Sequence, residues 1–182
     1  MPFLIAFGLS VLATPLAGLL GRAAGLVDRP APDALKVHTQ PVPFTGGLAV
    51  IAAALVSFAV VGWNIPGAVV GGIVAALGLG LVDDARPLPP WLRLVLQTGV
   101  GVAIGWALPL EFLGAVGGAA TAAIVVATVN AVNLLDGQDG LAGGVAAIAA
   151  AALAIVIGGS GAADLALALA GGLGGFVVWN RP

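Results

Sequence analysis

Apolar stretches close to the length that crosses a bilayer, about 20 residues, recur from one end of this chain to the other. Charge, proline and glycine divide them into about seven spans: Pro2–Leu20, Phe44–Val61, Ile65–Val82, Trp91–Leu108, Phe112–Thr128, Leu141–Ile157 and Ala162–Trp179. Between them little is left to face water. Only 8% of the residues are charged and 60% are hydrophobic, with a mean hydropathy of +1.16. A soluble domain carries roughly 25% charged residues, so a water-coated globular surface is excluded. Lipid offers no partner to backbone N–H and C=O groups, which makes helices the default for the spans. The expected fold is all-α: a polytopic transmembrane helix bundle forming one integral membrane domain over residues 1–182. Small residues let such helices approach closely, and Gly67, Gly71 and Gly72, or Gly171 and Gly175, are spaced for it.

The basic residues orient the bundle. Arg22, Arg29 and Lys36 follow the first span, Arg86 and Arg93 the third, and Arg181 the last. With seven spans all six fall on one side, which the positive-inside rule makes cytoplasmic. The N-terminus is then expected outside and the C-terminus inside. No basic segment precedes the first apolar run, so a cleaved signal peptide is not expected. Six basic residues form no phosphate-tracking patch, and no nucleic-acid partner is expected. Zero cysteines remove disulfides, thiolate chemistry and sulfur metal sites, and the lone His38 removes a multi-histidine site.

Most of the acids lie on the same side, in three polar clusters. The first runs from Asp28 to Gly47, with Lys36 and His38 ahead of Pro41-Val-Pro43 and the Gly46-Gly47 pair. It reads either as an anchoring loop or as one that holds Lys36 and His38 toward an anion, with helix-start amides as further donors. The second is Asp83-Asp84 followed by Arg86, Arg93 and Gln97. Adjacent carboxylates repel, so the pair either faces water or sits beside a cation. Oxygen-only ligands suit Mg²⁺, which keeps waters and uses one or two carboxylates with substrate phosphates. The third places Asn130 and Asn133 one helical turn apart and Asp136 and Asp139 at the same spacing beyond them. Gly137 and Gly140 leave room there for a phosphate or metal. As a mere turn, that density of amides and acids is hard to explain in so apolar a chain.

In this order the clusters resemble the polyprenyl-phosphate N-acetylhexosamine-1-phosphate transferases, membrane enzymes that begin bacterial envelope polysaccharides. The resemblance rests on Lys36-Val-His38-Thr-Gln-Pro41-Val-Pro43-Phe-Thr-Gly46-Gly47, on Asp83-Asp84 with Leu94 and Gln97, and on the run from Asn130 to Leu141. The Lys-x-His-x-x-Pro-x-Pro form is similar to the branch using UDP-N-acetylglucosamine, with the phospho-N-acetylmuramoyl-pentapeptide transferases as its nearest competitor. The resemblance implies transfer of a sugar 1-phosphate from UDP-N-acetylglucosamine to undecaprenyl (polyprenyl) phosphate, with release of UMP and use of Mg²⁺ or Mn²⁺. It implies a bacterial plasma membrane and an active site on the cytoplasmic face; a homo-oligomer is left open.

The same resemblance implies roles. Asp83 and Asp84 would arrange the lipid phosphate and metal, with Asp83 the candidate to take a proton from that phosphate. Asn133 would give a carbonyl oxygen to the metal, and Asp136 and Asp139 would position the nucleotide or metal shell. Lys36, His38 and Asn130 would bind substrate. Leu35 stands where relatives often carry a basic residue, and Arg93 where Lys is common. Relatives continue into a Gly-Asp motif beyond the point where Asn180-Arg181-Pro182 ends, so a fragment inactive by itself is expected. A CDP-alcohol phosphotransferase is a poorer match, because Asp136-Gly-Gln-Asp139 departs from its Asp-Gly-x-x-Ala-Arg signature. A transporter or ion-binding bundle would hold acids near the midplane, whereas these cluster at span ends; a decayed copy is the remaining alternative.

Overall fold

The computed structural model describes residues 1–28, 41–62 and 66–181. Lys36 and His38 fall outside the described residues. Seven α-helices occupy the described residues, one for each expected span, and 80% of those residues are helical. The expected all-α bundle is what is found. Three helical stretches, Pro2–Ala23, Gly67–Ala85 and Glu111–Leu135, are long and apolar enough to cross a membrane, and three shorter helices are also apolar. The chain falls into two compact units, Met1–Trp63 with Leu135–Pro182, and Asn64–Leu134.

The first unit contains α1 (Pro2–Ala23), α2 (Gly46–Val60), α6 (Leu141–Ile157) and α7 (Gly161–Val177). Its interior is built mostly of small side chains, with Phe58 and Val50 among the few larger ones: Ala6 and Ala168 are fully buried and Ala54 nearly so. Large aliphatics point the other way, with Leu12 74% and Ile155 81% exposed. That inversion is sensible only where the outer medium is lipid, because apolar contact with lipid costs nothing and close packing becomes the attraction. At the α1–α7 crossing a Cβ on Gly171 would collide with the Phe3 carbonyl, and one on Gly175 would sit 2.8 Å from Ser10 Cβ. Two hydroxyls add polar links: Ser57 donates to the Pro2 carbonyl at 2.7 Å, and Thr45 to the Ala17 carbonyl at 2.7 Å. A two-residue antiparallel pair, β1 (Val27–Asp28) with β2 (Val42–Pro43), joins the chain leaving α1 to the chain entering α2.

The second unit contains α3 (Gly67–Ala85), α4 (Pro90–Ala107) and α5 (Gly117–Leu135), with a 3₁₀ segment at Glu111–Val116 before α5. The sequence puts a span at Phe112–Thr128. The regular helix instead begins at Gly117, after a kink at Gly114 (φ 55°), and runs on to Leu135. That extension keeps Asn130 and Asn133 helical. The close approach here is made by glycines other than those the spacing singled out. Gly67 and Gly71 face open space, and Gly72 meets only the Ile104 side chain. Gly105 instead lies against the Gly118 carbonyl, and a Cβ on Gly101 would be 2.9 Å from the Ala122 carbonyl. Spacing marks which glycines share a face; it does not say which face meets a neighbour.

Adding one methyl group tests this packing. Gly171→Ala and Gly105→Ala are each expected to lower thermal stability in detergent by about 1–3 kcal/mol, the usual range for overpacking. Gly71→Ala is expected to leave the unfolding midpoint unchanged or slightly raised, since nothing lies within 4 Å of its Cβ position.

Candidate functional site

The end of α3 is fixed by the proline-rich segment that follows it. Arg86 is extended (φ −146°, ψ 95°) because Pro87 disfavours the helical conformation for the residue before it. The chain then returns through Leu88 to Pro90, the first residue of α4, where proline suits the first turn. Asp83 holds this return together. One carboxylate oxygen accepts the Leu88 backbone N–H at 2.8 Å, and the other accepts from Arg93 Nη1 at 3.2 Å. The pair is partly shielded, with side-chain exposures of 19% for Asp83 and 30% for Arg93.

Arg93 and Gln97 are four residues apart on α4, so they share one face. Gln97 is buried, and its side-chain oxygen accepts from Asn130 Nδ2 on α5 at 2.7 Å. Asn130 Nδ2 also donates to the Val126 carbonyl one turn earlier, at 2.9 Å. Both N–H groups of that amide are thereby used within the helix pair. Between α3, α4 and α5 lies a cavity of about 120 Å³. Asp83, Arg93, Gln97 and Asn133 supply its polar lining, and Leu79, Val100, Ile104 and Val125 are among its apolar walls.

Of the residues selected from sequence, Asp83 and Asn133 therefore meet at one cavity. Asn130 stands beside it, tied to Gln97. Asp84 is exposed and is not part of that lining. Asp136 and Asp139 lie in the turn between α5 and α6, within the other unit. That turn ends at Gly140, which adopts a left-handed conformation (φ 74°) that a side chain would strain. Its N–H donates to the Asn180 side-chain oxygen at 2.6 Å, tying the turn to the segment after α7. Desolvation raises the Asp136 carboxyl above its ordinary pKa.

No chemical role follows from the sequence for Arg93, Gln97 or Asn180. For the first two a usable signal was present: two polar residues at helical spacing in an otherwise apolar span need partners on neighbouring helices. Asn180 carried none, since its contact depends on a turn about 40 residues earlier.

The donors assembled here are all oxygen, the chemistry of a hard divalent cation. Among the described residues no three Asp, Glu or His side chains gather into a metal cage. A cation here would therefore draw much of its shell from substrate phosphates and water.

The raised Asp136 pKa has a definite sign. Folding favours its protonated form, so the carboxylate destabilises the fold increasingly as pH rises above the ordinary value of 3.8. Asp136→Asn is expected to raise the thermal midpoint at pH 7, with the gain shrinking as the pH is lowered toward 4. Water screening around this exposed residue keeps the effect below about 1 kcal/mol.

No curated protein sequence matches the chain. Residues 65–182 match the family model of glycosyl transferase family 4, and this stretch carries both the Asp83-Asp84 and the Asn130–Asp139 clusters. With more than half of its length matched and its helices apolar enough to span a bilayer, the chain belongs to glycosyl transferase family 4, as a multi-pass membrane protein of the kind that transfers a sugar phosphate to a polyprenyl phosphate.

Proposed function

We propose that this protein transfers N-acetylglucosamine 1-phosphate from UDP-N-acetylglucosamine to undecaprenyl or a similar polyprenyl phosphate, releasing UMP, at the cytoplasmic face of a bacterial plasma membrane. Family membership supports the reaction class. The choice of sugar rests on the Lys36-x-His38-x-x-Pro41-x-Pro43 segment. The observation that carries the proposal is the cavity between α3, α4 and α5, polar at Asp83, Arg93, Gln97 and Asn133 and apolar elsewhere. Such a lining suits an acceptor with a charged head on a hydrocarbon chain.

In the reaction, an oxygen of the lipid phosphate attacks the sugar-bearing phosphorus of the UDP-sugar. The bond from that phosphorus to the bridging oxygen breaks, and UMP departs with the oxygen and its electron pair. Catalysis of this kind is mostly positioning and neutralisation of charge. A phosphate monoester has a second pKa of about 6, so the nucleophile is already largely ionised at neutral pH. Little is then asked of Asp83 as a base. Its two oxygens already accept bonds from Leu88 and Arg93, which suits it to aiming the Arg93 guanidinium at a phosphate. Within this unit Asp84 and Asn133 would be further oxygen donors for Mg²⁺ (or Mn²⁺), and the family resemblance implies roles toward the nucleotide or metal shell for Asp136 and Asp139 and toward phosphate charge for Lys36. When bound, the cation would neutralise the diphosphate and its leaving group.

Full-length protein in detergent, given UDP-N-acetylglucosamine, polyprenyl phosphate and Mg²⁺, is expected to release UMP, and to stop when the divalent ion is chelated. Asp83→Asn, Asp84→Asn and Asp136→Asn are each expected to lower turnover at least about 100-fold, the scale of losing a positioning or charge-stabilising group, while the protein stays folded. Near wild-type turnover in all three would defeat the assignment. A UDP-muramoyl-pentapeptide substrate accepted in preference would move the protein to the competing branch.

A further inference from the structure

We propose that Gln97 is a positioning residue. By accepting the Asn130 hydrogen bond it sets the register of α5 against α4, and so places Asn133 relative to Arg93 and Asp83. The inference rests on the transferase reading above insofar as Asn133 serves that reaction.

The orientation of the pair is determined by its surroundings. The Val126 carbonyl can only accept, so the Asn130 atom 2.9 Å from it is the amide nitrogen. The Gln97 atom 2.7 Å from that same nitrogen must then be its oxygen. Among the described residues of this unit Gln97 is the buried polar side chain, at 7% exposure. Once its bond to Asn130 is broken, little solvent is available to replace it, which makes the broken state costly.

The rest of the α4–α5 contact does this work less well. Gly101, Gly105, Gly118 and Ala122 have smooth surfaces that set how near the helices come, with the Val126 side chain beside Gly101. The other polar link between the two helices, Thr121 Oγ1 donating to the Leu108 carbonyl at 3.1 Å, is exposed and shares its hydroxyl with the Gly117 carbonyl. One residue of slip is about 1.5 Å. A single buried polar pair is an attested means of fixing register between helices. Asn133 is one turn beyond Asn130, so the slip would carry it directly. One turn earlier on α4, Arg93 is held by Asp83 of α3. Both links leave α4 from one face, and all of Asp83, Arg93, Gln97 and Asn133 line one cavity.

The test replaces Gln97 in full-length protein by methionine, which has similar length and no amide. Displacement near 1 Å at a reacting site costs about 100-fold, so Gln97→Met is expected to lower kcat about 10- to 100-fold. The KM for UDP-N-acetylglucosamine should change less than about 3-fold, and the protein should elute as a folded, monodisperse peak. In an Asn130→Ala background the same substitution should cause no further loss, because its partner is already gone. Independently of activity, the Asn133 side-chain NH₂ signal in ¹⁵N-asparagine-labelled protein should shift on Gln97→Met. Should Gln97→Met not fold, Gln97→Asn, which retains an acceptor one methylene short, is read by the same cycle and the same signal. Wild-type kcat with an unmoved Asn133 signal, or losses that multiply with Asn130→Ala, would overturn the proposal. Failure of full-length wild-type protein to release UMP would instead remove the transferase reading, with the Asn133 signal still deciding whether Gln97 sets the register.

Discussion

A polar side chain on a helix inside a membrane must find its partner within the protein, because lipid supplies none. In the unit formed by α3, α4 and α5 that requirement is concentrated on one face of α4. Arg93 is satisfied by Asp83 on one neighbour and Gln97 by Asn130 on the other. The two links turn a solvation demand into geometry. They fix the helices that carry the acids and amides, and they leave a cavity whose polar lining is assembled from all three.

Packing elsewhere follows from the same solvent. Hydrophobic burial contributes little when the outside is hydrocarbon, so large side chains such as Leu12 and Ile155 are turned outward. Alanine, glycine and serine fill the interior. At the α1–α7 crossing Gly171 and Gly175 bring backbones into contact, and at the α4–α5 crossing Gly105 and Gly118 do the same. Such surfaces give closeness without register. Sparse polar contacts cross between these elements: Ser57 to Pro2 and Thr45 to Ala17 in one unit, and Asn130 to Gln97 and Thr121 to Leu108 in the other.

These features bear on chemistry that joins a lipid-borne phosphate to a water-borne nucleotide. Members of glycosyl transferase family 4 handle both kinds of substrate, and among the described residues most charged groups lie at or beside helix ends. The turn from Asp136 to Gly140 shows how such a helix end is stiffened. A left-handed glycine closes it, and a side-chain amide from beyond α7 accepts the glycine N–H.

Span number, helical class and the residues worth suspecting were legible in the sequence, because membrane length and charge avoidance act on each segment locally. Leu141–Ile157 was bounded as found, and the pairing of Asn130 with Asn133 on one face needed only helical periodicity. Which faces meet was legible only in part: Gly171 and Gly175 were singled out by spacing and do pack closely. Gly67 and Gly71 have the spacing of a packing motif and touch nothing, whereas Gly105, not singled out, abuts a backbone carbonyl. Asp83, which the sequence leaves either facing water or beside a cation, has both oxygens accepting hydrogen bonds, and the Asn130 amide is turned to Gln97. One-dimensional order determines what each helix must hide from lipid. Only the tertiary structure decides which neighbour hides it, since rotation and register depend on contacts between residues far apart in the chain.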